Sequence, residues 1–148
     1  MSMIKEGELA PAWKGLDQDA QPISSAAYEG KWLLLYFYPM DDTPGCTIEA
    51  CGFRDNYASL SARIAIVGVS ADDSASHRKF ADKFQLPFTL LADTSKEAIA
   101  AFGANGLLFP KRVTFLIDPN NTVRKIYHGF DATHHAADVT RDLDALGV

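Results

Sequence analysis

Two stretches of the chain, KWLLLYFYP (31–39) and RIAIVGVS (63–70), are almost continuously apolar, while the segments after them return apolar residues every three or four positions. Short apolar runs closed by turn residues, here Gly30 and Pro39 around the first, predict strands buried on both faces. After Pro39, Thr43 offers an N-cap and Pro44 a first helical residue. Ala50, Phe53, Tyr57 and Leu60 then recur at helical steps, which predicts an amphipathic helix of about four turns. Ser74 predicts the cap of a second helix to about Phe84, with Ala75, Phe80, Ala81 and Phe84 on its apolar face and Pro87 beyond its end. A short strand near FTLLAD, a helix near SKEAIAAFG closed by Gly103, a strand VTFLID, a turn at DPNN, a strand TVRKIYHG and a helix from about Thr133 to Leu146 complete the reading.

Strand and helix alternate three times before two adjacent strands and a final helix. This order predicts an α/β fold, in which crossovers join parallel strands and the DPNN turn adds an antiparallel hairpin to give a mixed sheet flanked by helices. The first helix then starts at the carboxyl end of a central strand, where open α/β sheets bind ligands.

A chain of 148 residues suits one domain over 1–148. Its charge of −5 comes without a basic block, which excludes the electrostatic footprint of nucleic-acid or anionic-membrane binding. MSMIKEGELAPAW has no basic segment followed by an apolar one, and no stretch approaches the ~20 apolar residues of a membrane span. These features predict a cytoplasmic protein, a compartment in which a lone cysteine pair points to catalysis over structure.

Both cysteines lie in YPMDDTPGCTIEAC (38–51), five residues apart, so Cys46 and Cys51 do not form the Cys-x-x-Cys of a metal site or dithiol oxidoreductase. Cys46 falls in the first helical turn, where unpaired N–H groups and the helix dipole favour a thiolate. Thr-Pro-Gly-Cys has no apolar periodicity of its own, which argues against Cys46 as plain core packing. In an intact helix, residues five apart differ by about 140° and their Cα atoms lie roughly 8 to 9 Å apart. A disulfide spans no more than about 7 Å, so either the two cysteines never bond or the helix unwinds when they do. Gly52 weakens a helix interior by about 1 kcal/mol, which would ease such opening, or else marks a close packing contact.

YFYPMDDTPGCTIEACGFRD resembles the active-site segment of the peroxiredoxins, in particular the bacterioferritin-comigratory or PrxQ subfamily, through its Pro39-x-x-x-Thr43-x-x-Cys46 pattern and the cysteine five residues on. IKEGELAPAW, AIVGVSADD and KRVTFLIDPNNTVRKIYHG fit the same family. The resemblance implies a thioredoxin-like fold with an N-terminal extension, and a thiol peroxidase working without haem, metal or flavin. Cys46 would be the peroxidatic cysteine, oxidised by a hydroperoxide to a sulfenic acid. Cys51 would be the resolving cysteine, closing an intrachain disulfide that a thioredoxin-like dithiol reduces. Thr43 would hydrogen-bond thiolate and peroxide, Pro39 would shield the site from water, and Arg112 would present its donor fork to both reacting partners. Lys111 is assigned to the surface, and Glu49 is a shared subfamily residue. The resemblance also implies an N-terminal hairpin and a monomer. Trp13 departs from the pattern, standing where an aspartate and a phenylalanine usually follow Ala-Pro.

Other readings need groups the sequence does not mark. A cysteine hydrolase requires a histidine base, and His77, His128, His134 and His135 sit in no motif, so surface positions are expected for them. His134 and His135 are neighbours on a helix and point about 100° apart, a poor metal pair. Asp41 and Asp42 read as a solvated loop. A disulfide reductase or redox chaperone is the alternative function.

Overall fold

The structure, a computed structural model, describes residues 3–128 and 131–148. Among these, seven strands are β1 (Lys14–Leu16), β2 (Pro22–Ser24), β3 (Leu33–Phe37), β4 (Ala65–Ser70), β5 (Thr89–Ala92), β6 (Val113–Ile117) and β7 (Val123–His128). The helices are α1 (Pro44–Asp55), α2 (Tyr57–Leu60), α3 (Ser74–Phe84), α4 (Glu97–Ala101) and α5 (His135–Leu146). The strands form one mixed sheet in the order β2-β1-β5-β4-β3-β6-β7. β3 runs parallel to β4 and β4 to β5, while β3–β6 and β6–β7 are antiparallel.

Every residue of β3 and β6 is buried, as their apolar runs predict. Alternation along β3 sends Leu34 and Tyr36 into a core with residues of α1, α3 and α5, and Leu33, Leu35 and Phe37 into a second core with α4 and Trp13. This is a thioredoxin-like fold with added N-terminal elements. In the added part, β1 pairs with β2 and meets β5 at Leu16↔Ala92. Trp13, the departure from the family pattern, is buried with its ring 5.7 Å from that of Tyr28 and so supplies core to this extension.

Several boundaries differ from the sequence reading. The four-turn helix is interrupted at Asn56, whose Nδ2 donates to Gly52 O at 2.8 Å while its backbone leaves helical geometry, so Tyr57 and Leu60 belong to a separate turn. The cap of α3 is Asp73, which accepts from Ser76 N at 2.8 Å. Ser74, expected in that role, donates instead to Asp17 O and ties the β1–β2 turn to the helix. Ala75 is exposed, and His77 takes the core-facing position with Phe80 and Ala81. α5 starts at His135, two residues late, because Asp131 accepts from the N–H and hydroxyl of Thr133 in a local turn. Gly103 closes α4 at φ 70° as expected. The predicted strand end at Gly129 lies outside the described residues.

Candidate active site

The register of β3 with β6 builds the site. Phe37 pairs with Val113, so Arg112 lies level with the point where β3 gives way to loop 39–43 and α1. Thr43 occupies the N-cap position, and the Thr47 N–H bonds its carbonyl at 2.8 Å, opening the helix three residues before Cys46. Arg112 spans one turn of α1: its Nη2 donates to Cys46 Sγ at 3.2 Å and its Nη1 to Glu49 Oε1 at 2.8 Å. Gly45 makes room for this, since a Cβ there would lie 2.9 Å from Arg112 Nη2.

Cys46 is fully buried with Ala50 and Phe53 at helical steps, which corrects the expectation that its position lies off the packing stripe. What separates it from a core residue is the guanidinium on its sulfur. Glu49 is equally buried. Burial pushes its carboxyl up to about 8, and the adjacent Arg112 pulls in the opposite direction. His135 places Nε2 2.9 Å from Thr114 Oγ1 and 3.8 Å from Glu49 Oε2. Burial, assisted by the Arg112 charge, pushes its imidazole down to about 4.

These shifts carry opposite pH dependences. A carboxyl that holds its proton more tightly when folded makes stability fall as pH rises, for Glu49 between 4.5 and about 8. An imidazole kept neutral makes stability rise with pH, for His135 between about 4 and 6.5. The two oppose one another below 6.5, leaving the Glu49 fall alone from 6.5 to about 8. Glu49→Gln is expected to remove that fall, measured by denaturant titrations at the two ends of the window. An undiminished fall in the variant would place its origin in another group.

Of the residues marked in the sequence, Cys46 and Arg112 are in contact, and Thr43 and Pro39 are half-buried in the loop entering α1. The Thr43 hydroxyl makes no capping bond; it donates to Met40 O at 2.9 Å. Cys51 is half-buried farther along the same continuous helix, and both thiols are free. Lys111 is exposed. The sequence reading missed Asp41, His77 and His135, all buried where surface positions were expected. The signal was present: His77, Phe80, Ala81 and Phe84 lie at helical steps, as do His135, Val139 and Leu143. His134 is exposed as expected.

Residues 7–126 match the AhpC/TSA family. The chain is 42% identical to peroxiredoxin Q, chloroplastic, of Arabidopsis thaliana over 96% of its length and 68% of the relative's. For the corresponding protein of Suaeda salsa the identity is 38%, over 99% and 71%. Among solved structures, the peroxidoxin BcpB of Mycobacterium tuberculosis superposes with a TM-score of 0.90 at 34% identity, covering 97% of this chain and 98% of that one. The bacterioferritin comigratory protein of Xanthomonas campestris, whose alkyl peroxide reduction has been studied through trapped intermediates, gives 0.86 at 28% identity over 92% of each chain. The cytoplasmic expectation is overturned by these comparisons, because the curated plant relatives are chloroplastic proteins. It rested on how the chain begins, and that start does not report a compartment. A buried thiol at a helix N-terminus under an arginine, on this sheet and in this company of relatives, places the chain in the AhpC/TSA family as a peroxiredoxin of the PrxQ type, a thiol-based peroxidase.

Proposed function

We propose that Cys46 is the peroxidatic and Cys51 the resolving cysteine of a hydroperoxide reductase recycled by a thioredoxin-type dithiol. The observation that carries the reading is the Arg112 Nη2 to Cys46 Sγ contact of 3.2 Å in the first turn of α1. There, guanidinium and helix dipole favour the same negative charge. The thiolate attacks one peroxide oxygen; an S–O bond forms, the O–O bond breaks, and the departing oxygen leaves as water or alcohol after gaining a proton. Thr43 commits its hydrogen to Met40 O, so its oxygen lone pairs are available to accept from the peroxide O–H. Pro39 covers the approach from solvent. The Cys51 thiol then displaces hydroxide from the sulfenic sulfur, which takes up a proton and leaves as water. An external dithiol reduces the resulting disulfide. Both cores lean on one sheet, which supports residues 1–148 working as one domain.

Mass spectrometry after one equivalent of hydrogen peroxide tests the cysteine assignment. The wild type is expected to lose two hydrogens within one chain, and Cys51→Ser to gain one oxygen on Cys46. The wild-type product is also expected to lose far-UV helix signal and amide protection over residues 43 to 52, because an intact helix holds the two Cα atoms roughly 8 to 9 Å apart. A disulfide formed with the helix signal unchanged would refute the unwinding, and one joining two chains would refute the pairing.

A further inference from the structure

In the loop that leads into α1 lies a second buried polar group, which the proposed peroxide chemistry leaves unused. Asp41, in the middle of loop 39–43, accepts from the Tyr38 hydroxyl on Oδ1 at 2.6 Å, and from Ser76 Oγ and His77 Nδ1 on Oδ2, both at 2.7 Å. His77 is inaccessible to solvent, and its Nε2 lies 2.9 Å from Leu91 O. A carbonyl oxygen only accepts, so Nε2 carries a hydrogen; a second hydrogen lies between Nδ1 and Asp41. The backbone N–H of Asp41 donates to Asp72 Oδ2 at 2.9 Å, and the Ser70 hydroxyl donates to the same oxygen. Asp41, Asp72 and His77 bring ligand-type atoms within 4.8 Å of one another. Their inward oxygens already accept these hydrogen bonds, so the cluster reads as a hydrogen-bonded tether.

The loop that this cluster fastens leads directly into α1 and Cys46. The next residue, Asp42, is left-handed at φ 58°, and its carboxylate pairs with Lys83 at 2.7 Å. α3 therefore holds the loop through Ser76, His77 and Lys83. Arg112 is held separately, by Glu49 and the sulfur.

We propose that the buried Asp41–His77 pair is a positioning device, which fixes loop 39–43 against α3 so that Pro39 and Thr43 meet the peroxide in one geometry. The inference rests on the roles proposed above for those two residues. Because no hydrogen bond or ion pair among the described residues joins the pair to Arg112 or the sulfur, its loss disturbs peroxide alignment and leaves the thiolate in place.

Two rates separate these effects: the second-order reaction with hydrogen peroxide, and alkylation of Cys46 by iodoacetamide in a Cys51→Ser background. Misalignment of about 1 Å costs up to about a hundredfold in rate, so Asp41→Asn is expected to slow the peroxide step by about tenfold or more while alkylation stays within about twofold. Asp72→Ala removes the tether to the loop backbone, along with the bond from the Ser70 hydroxyl, and leaves Asp41 and His77 in place. It is expected to show the same split to a smaller degree, and it decides the matter where Asp41→Asn does not fold. Thr43→Val is the reference. If it leaves the peroxide rate unchanged, the role of Thr43 itself is wrong. If it slows that rate while the aspartate variants keep wild-type rates, or lose both rates in parallel, the positioning role is overturned.

Discussion

Replacing Cys46 with serine is expected to reduce peroxide consumption by at least about a thousandfold, because it removes the nucleophile outright. A serine hydroxyl remains protonated at neutral pH and has no accessible counterpart of the sulfenic state. The fold is expected to survive the change, because the smaller serine oxygen fits the space beneath Arg112 Nη2, can still accept a hydrogen from it, and leaves Ala50 and Phe53 packed. Stopped-flow consumption of hydrogen peroxide, with a far-UV spectrum matching the wild type, is the measurement. Retained consumption in a folded Cys46→Ser protein would move the chemistry to another residue and undo the assignment.

Arg112→Met is expected to lower the second-order rate with peroxide by about a hundred- to a thousandfold, the usual cost of removing a fixed donor from developing charge in a buried site. The variant loses the bond to sulfur and, with it, the only positive charge contacting Glu49 through a hydrogen bond among the described residues. Glu49 accommodates that loss, because the guanidinium is what draws its carboxyl down against burial; without it the group simply keeps its proton. The variant should therefore fold, and the deficit should appear in the peroxide step. Lys111→Met, one residue away and exposed, serves as the control and should react like the wild type. Equal rates for the two variants would remove Arg112 from the mechanism.

The layout of strands and helices was legible because the buried strands are continuous apolar runs, and Cys46, Thr43 and Arg112 stood out through motif and helix-start chemistry. The polar interior was not. His77 and His135 lie on apolar stripes, but periodicity treats a histidine as a gap, and only contacts from distant segments reveal that Asp41 and Leu91 enclose one and Thr114 the other. Asp41 looked solvated because nothing near it in sequence foretells α3 closing over it. The break at Asn56 was hidden for a different reason: Tyr57 and Leu60 keep the helical rhythm, and a side-chain bond to Gly52 O overrides it.

That break, together with Gly52, reaches into redox thermodynamics. A Cβ at Gly52 would meet nothing within 4 Å, so close packing does not account for the glycine, and the helix is softer than its surroundings demand. Asn56 ends α1 before Leu60, which anchors the core beyond it. If the disulfide forms only with α1 unwound, the stability of that short segment adds directly to the driving force for reduction, at about 30 mV of potential for each 1.4 kcal/mol. On that condition a soft, bounded helix sets a lower potential than a rigid one would, and residues that never touch sulfur would tune the oxidant strength of the disulfide.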